Sequence, residues 1–188
     1  MKVGLLTGTF DPVHVGHVAM ARAAMAAAGL DEVWVLVNPA PGHKHGVSGL
    51  EARAEMMRLA LVGEKSIELG DPSGLNLRTH TMAEFGRLMA AHEDVEFVFI
   101  VGAEVFAGMS GWQDAEDSIR KAKFLVAKRP GYGIPELDPR LVVQWFDLEE
   151  HARVSSGQIR EALAAGHEPK GLHATVLSYI REHHLYGV

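Results

Sequence analysis

The stretch KVGLLTGTFDPVHVGHVAMARAAMAAAGLDEVWVLV, Lys2 to Val37, decides the fold. Lys2 to Leu6 is a short apolar run and Glu32 to Val37 (EVWVLV) is a second, each with the length and β-branched content of a buried strand. Between them, Val15 to Ala28 is rich in alanine and methionine, which favour helix, and Gly29 stands where a left-handed cap would end it. Strand, helix and strand in direct succession make the unit from which parallel sheets are built.

The alternation continues downstream. Leu50 to Val62 has helical periodicity with its charges on one side, Ser66 to Leu69 reads as a short strand, and Thr79 to Ala91 as a helix. Val95 to Val101 (VEFVFIV) is the strongest strand signal in the chain. A short helix at Ala115 to Lys121 and strands at Lys123 to Ala127 and Leu141 to Phe146 follow, and helices at Ser156 to Ala165 and Leu172 to His183 complete the series. Neither a repeat nor a linker interrupts it. The expectation is α/β class: one domain over residues 1–188, with a parallel sheet covered on both faces.

In such sheets ligands bind beyond the carboxyl ends of the strands, near the point where strand order reverses. The loops after Leu6, Val37 and Val101 should therefore meet at one edge. They are TGTFDPVHVGH, NPAPGHKHG and GAEVFAGMSGW, the three segments of most unusual composition.

Composition limits what can bind there. The 188 residues are 47% hydrophobic and 22% charged, a balance ordinary for a soluble globular protein. A formal net charge of −6 argues against nucleic acid held by general electrostatics, while leaving room for a local basic pocket around a small phosphorylated ligand. The absence of cysteine excludes disulfides, thiolate metal sites and cysteine nucleophiles, and fits a cytosolic protein. The first apolar run is too short for a signal peptide, and no stretch reaches the ~18 to 20 apolar residues of a membrane span. The expectation is a cytoplasmic protein with neither membrane nor nucleic-acid partner; self-association is left open.

The Thr7 to His17 loop lacks the GxGxxG spacing of dinucleotide binders, and the chain has no GxxxxGK[ST], HExxH or GxSxG. It does have the makings of a phosphate site. Gly8 lets backbone amides turn toward a ligand, and Gly16 lets a ligand approach the first turn of the following helix, whose free N–H groups attract anions. His14 and His17 can each donate a ring N–H to a phosphoryl oxygen and carry positive charge where negative charge develops. Three residues apart, they could also be two ligands of a zinc ion with a third from elsewhere, or side chains that merely pack around a capped turn, but phosphate contact is the reading preferred. Asp11, before Pro12, can cap the turn through its own backbone or touch substrate.

GTFDPVHVGH (Gly8 to His17) resembles the GxFDPxHxGH signature of the HxGH nucleotidyltransferase superfamily, and VSSGQIR (Val154 to Arg160) is similar to its ISSTxIR motif. Within that superfamily, four further stretches resemble bacterial nicotinate-mononucleotide adenylyltransferases. They are PGHK (Pro41 to Lys44), VGAEVFAGMSGW (Val101 to Trp112), KRPG (Lys128 to Gly131) and VLSYIREHHLY (Val176 to Tyr186). In order and spacing the resemblance covers essentially the whole chain.

The resemblance implies a Rossmann-like doubly wound sheet and transfer of AMP from ATP, with Mg²⁺, to a pyridine mononucleotide. His14, His17, Lys44 and Arg160 would be the catalytic groups. ATP would lie against Gly8, Thr9, Phe10, Gly16, His17, Gly102, Arg129, Ser155, Ser156, Ile159 and Arg160. The acceptor would lie against Thr9, Phe10, Lys44, Thr79, Thr81 and Trp112, although Trp112 could instead anchor a loop. LRTHT (Leu77 to Thr81) stands where the family has YTxDT, and Glu104 and Gly157 replace a usual aspartate and threonine. The acceptor therefore stays open between nicotinate mononucleotide, nicotinamide mononucleotide and phosphopantetheine. A nucleotide-binding module without catalysis is the alternative of a different class.

Overall fold

The computed structural model describes residues 1–39, 46–70, 82–108, 122–128, 141–148 and 153–188. Its strands are β1 (Lys2–Gly8), β2 (Glu32–Val37), β3 (Ile67–Leu69), β4 (Glu96–Gly102), β5 (Lys123–Lys128) and β6 (Val142–Asp147). Its helices are α1 (Val15–Ala28), α2 (Leu50–Ala60), α3 (Met82–Ala91), α4 (Ala103–Gly108), α5 (Ser156–Ala164) and α6 (Ala174–Glu182). The strands form one sheet in the order β3-β2-β1-β4-β5-β6, every neighbouring pair parallel. The chain runs outward from β1 through β2 and β3, then returns to the other side of β1 with β4. The reversal lies between β1 and β4, where Leu5 is flanked by Trp34 on one side and Phe99 on the other.

Both faces of the sheet are covered, which is why its central strands read as unbroken apolar runs. On one face Leu6, Val33, Val35, Ile100 and Leu125 pack with Val18, Ala21 and Ala24 of α1, Met56 and Met57 of α2, Ile159 and Leu163 of α5, and Val176 and Ile180 of α6. On the other, Val3, Leu5, Trp34, Phe97, Phe99, Val101, Phe124 and Val126 pack with Phe85 and Leu88 of α3 and Phe106 of α4. Ala21 and Ala24 of α1 are fully buried and let that helix lie close to the sheet. Gly4 serves close packing too: a β-carbon there would sit 2.6 Å from Ile100 Cδ1 and 2.7 Å from Leu30 Cδ1.

Most predicted elements appear within a residue or two of their expected limits. Gly29 caps α1 in the left-handed region (φ 59°, ψ 48°), its N–H donating to Met25 O. One helix departs from expectation. Ala103–Gly108 follows β4 directly, although the segment reads as loop; six residues bounded by glycines are too few to display helical periodicity. The helix expected from Leu172 starts at Ala174, capped by His173, and stops at Glu182. Beyond it a 3₁₀ turn, Leu185–Gly187, is set by His184 (φ 50°) and Tyr186 (φ 59°), both in the left-handed region. The expected Ala115–Lys121 helix and the start of the Thr79–Ala91 helix lie outside the described residues. No helix among the described residues is long and apolar enough to cross a membrane.

Candidate active site

The loop from β1 to α1 carries unusual backbone geometry, with a cis Asp11–Pro12 peptide and Phe10 at φ 51°. Five of its carbonyl groups accept hydrogen bonds from the protein. Gly8 O accepts from the Asn38 N–H at 2.8 Å and His14 O from the His17 N–H at 2.9 Å. Side chains bind three more: Arg53 Nη1 donates to Thr9 O at 2.9 Å, Arg160 Nη1 to Asp11 O at 2.6 Å, and Ser156 Oγ to Pro12 O at 2.8 Å. Gly8 is also a matter of space, because a β-carbon there would stand 2.7 Å from the ring of Phe10. The ring is buried, so the exchange would displace an aromatic side chain.

Arg53 ties this loop to the one that follows β2. It projects from α2, is 2% exposed, and donates through Nη1 also to Asn38 O (2.8 Å) and through Nε to Ser48 O (2.8 Å). Burial pulls its pKa down, and the nearby Asp11 carboxylate works against that shift. The Asp11 carboxylate neither turns back on its own backbone nor opens to solvent. It is 5% exposed, and Oδ1 accepts from the Tyr186 hydroxyl at 2.6 Å and from the Ser48 N–H at 3.3 Å. Burial, together with this bond to Asp11, pushes the Tyr186 phenol well above its ordinary value.

His14 is the N-cap of α1, extended at φ −143° and ψ 169°, and His17 lies one turn on. The His14 N–H donates to His17 Nδ1 at 3.2 Å. A ring nitrogen that accepts is unprotonated, so neutral His17 carries its proton on Nε2 and offers a donor from that side. The two imidazoles stack, and the edge of Phe10 meets His17 with centroids 4.9 Å apart and planes 86° inclined. Across from them Ser155 caps α5, its Oγ accepting from the Gln158 N–H at 3.3 Å. That helix therefore also presents its positive end to this region.

These elements enclose a cleft of about 600 Å³ over the carboxyl ends of β1 and β4, the size of a small-molecule site. Gly8, Thr9, Phe10, His14, Gly16 and His17 line it from the first loop, Gly102 from β4, and Ser155, Ser156 and Arg160 from α5. Of the residues proposed for nucleotide from the sequence, Ile159 is the exception within the described chain. Its side chain is 2% exposed and belongs to the core, and its N–H donates to Ser155 O at 3.1 Å. Lys44, Thr79, Thr81, Trp112 and Arg129 lie outside the described residues. Lys128, at the end of β5, also reaches the cleft, its Nζ paired with Asp147 Oδ1 at 3.1 Å.

Sequence reasoning missed Arg53 and gave Tyr186 no role. A single arginine on an amphipathic helix reads as a solvated charge, and nothing local marks one that is buried. Among the described residues no set of three His, Asp or Glu side chains could hold a metal ion, so the zinc alternative for the histidine pair finds no third ligand there. The arrangement suits an anion: two imidazoles, one guanidinium and two helix N-termini converge on one cleft.

Comparison with known proteins agrees with that chemistry. The cytidylyltransferase-like family model matches residues 5–162. A Solibacter usitatus protein called "Probable nicotinate-nucleotide adenylyltransferase" is 37% identical over 190 residues, covering 99% of this chain and 100% of that protein. A Listeria monocytogenes protein of the same name is 33% identical over 189 residues, covering 99% of this chain and 97% of its own. Among solved structures, Plasmodium falciparum nicotinic acid mononucleotide adenylyltransferase complexed with NaAD superposes with a TM-score of 0.81 at 17% identity, over 98% of this chain and 97% of that one. At that identity the likeness is one of fold.

Proposed function

The chain belongs to the cytidylyltransferase-like family, and on that premise we propose that residues 1–188 form one enzyme transferring AMP from ATP to nicotinate mononucleotide. The products are nicotinate adenine dinucleotide, a precursor of NAD, and pyrophosphate. The name carried by full-length relatives supports the choice of acceptor. The observation that carries the reading is the convergence of the stacked His14–His17 pair and Arg160 on one cleft at the reversal of strand order.

In this reading a phosphate oxygen of the acceptor attacks the α-phosphorus of ATP. The bond to the oxygen bridging the α- and β-phosphorus breaks in line, and pyrophosphate leaves with that electron pair. No group of the protein becomes covalently attached. Its contribution is position and charge complementarity. His17 donates from Nε2 to the transferring phosphate, and His14 stands against it at the start of α1. Arg160 keeps one N–H on Asp11 O and directs others at the polyphosphate, joined there by Lys44, with Ser155 and Ser156 supplying the α5 N-terminus. The motifs assign Gly102 and Arg129 to the nucleotide, and Thr79, Thr81 and Trp112 to the pyridine. Magnesium would be held chiefly by the phosphates, since among the described residues no three His, Asp or Glu side chains could hold a cation, and there it would spread negative charge and ease the departure of pyrophosphate. The enzyme acts in the cytoplasm on small molecules.

Pyrophosphate release from ATP with a panel of acceptors tests this. The expected order places nicotinate mononucleotide first by kcat/KM. A higher value with nicotinamide mononucleotide or phosphopantetheine would reassign the acceptor. ATP binding without turnover on any of them would leave a binding module.

A further inference from the structure

We infer that Tyr186 is a positioning residue for the loop that receives the ATP phosphates, acting through Asp11. The inference rests on the proposed function of that loop. Tyr186 is not among the described residues that line the cleft. Its hydroxyl donates to Asp11 Oδ1 at 2.6 Å, a bond between residues 175 positions apart in sequence.

Asp11 is held at both ends. Its carboxylate takes the short bond from Tyr186 and a longer one, 3.3 Å, from the Ser48 N–H; its carbonyl takes the bond from Arg160 Nη1. At 5% exposure the carboxylate has little access to water that could replace a lost donor. A turn of Asp11 about its backbone therefore moves the carbonyl on which Arg160 is set, and with it the guanidinium facing the cleft. The same residue opens the Asp11–Pro12 turn that leads to His14.

The phenol is delivered by costly backbone. Both His184 and Tyr186 occupy the left-handed region, which side chains other than glycine seldom adopt unless the surroundings impose it. The ring of Tyr186 packs against the core cluster that also contains Phe10 and Val13. Packing fixes the ring, and the hydroxyl is left to serve Asp11.

Tyr186→Phe in the full-length chain separates the two contributions, because it keeps the ring and removes the donor. Three quantities are read: MgATP affinity by calorimetry without acceptor, the KM values for ATP and for nicotinate mononucleotide, and the melting temperature. The expected result is an ATP Kd and KM raised about 10-fold, an acceptor KM within about 2-fold of wild type, and a melting temperature lowered by a few degrees through the donor lost at Asp11. In an Asp11→Ala background the same substitution should add less than about 2-fold, since its target is already gone. Wild-type ATP affinity in Tyr186→Phe, additive losses in the double variant, or an equal rise of both KM values would each overturn the inference. A wild-type chain that binds MgATP but adenylylates no pyridine mononucleotide refutes the functional reading alone, and the calorimetric comparison still judges Tyr186. A wild-type chain that binds no MgATP overturns both.

Discussion

The imidazoles of His14 and His17 lie stacked, with ring centroids 3.7 Å apart and planes 27° from parallel. Their registry is set by the backbone, because the His14 N–H, which has no acceptor within the helix, donates to His17 Nδ1. Helix start, tautomer and ring stack are thus one structural event.

Removing His17 tests its role on charge. His17→Ala should lower turnover by about 10²- to 10³-fold, the usual effect of deleting one donor to a developing anion. Stability should change little, since the half-buried ring lies at the cleft rather than in the core. Pyrophosphate release and a thermal melt, measured together, decide; turnover near that of wild type would remove His17 from the chemistry.

Arg160→Ala should weaken ATP by about 1.5 to 3 kcal/mol, the range for a hydrogen bond to a charged group. Arg160→Lys should recover only part of this. One ammonium cannot hold Asp11 O and also present a planar fork to phosphate. Calorimetric titration with MgATP measures both variants, and unchanged affinity in the alanine form would exclude Arg160 from the site.

Arg53→Met keeps an unbranched apolar stem and removes three donors from the carbonyl groups of Thr9, Asn38 and Ser48. Buried acceptors without partners cost about 1 to 3 kcal/mol each, so a loss of roughly 3 kcal/mol or more is expected. Urea unfolding should show a lower midpoint with an unchanged slope. A midpoint equal to that of wild type would mean that the loops are held without Arg53.

Alkaline pH probes the same cluster. The Tyr186 phenol is raised in the folded chain, so above the ordinary tyrosine value of about 10 the folded state keeps a proton that the unfolded state has lost. Its stabilising contribution is complete below that pH and declines as pH rises beyond it. Chemical unfolding at a series of pH values from 8 to above 10 should therefore show a steeper alkaline fall for wild type than for Tyr186→Phe. Parallel curves would contradict the assignment.

The sequence made the fold legible where both faces of a strand are buried. Val3 to Leu6, Val33 to Val37 and Phe97 to Val101 are apolar without interruption because helices cover the sheet on either side. It concealed α4, whose six residues span less than two turns. In the site, His14, His17 and Arg160 were legible because each belongs to a short local pattern with a helix start. Ile159 shares such a pattern with Arg160, yet adjacent residues on a helix point about 100° apart, so one enters the core and the other lines the cleft. Arg53 and Tyr186 were not legible. What defines them is contact with carbonyl and carboxylate groups 44 and 175 residues away, and no local pattern encodes that distance.

The bonds that hold the first loop also carry a consequence for synthesis. Chains emerge from the ribosome amino end first, and Lys2 to Val37 can pair as soon as both strands are out. The donors to Pro12 O, Asp11 O and the Asp11 carboxylate come from 144, 149 and 175 residues downstream. A nascent chain can thus own the β1–β2 pair long before it owns a finished first loop. The segment made first is completed last.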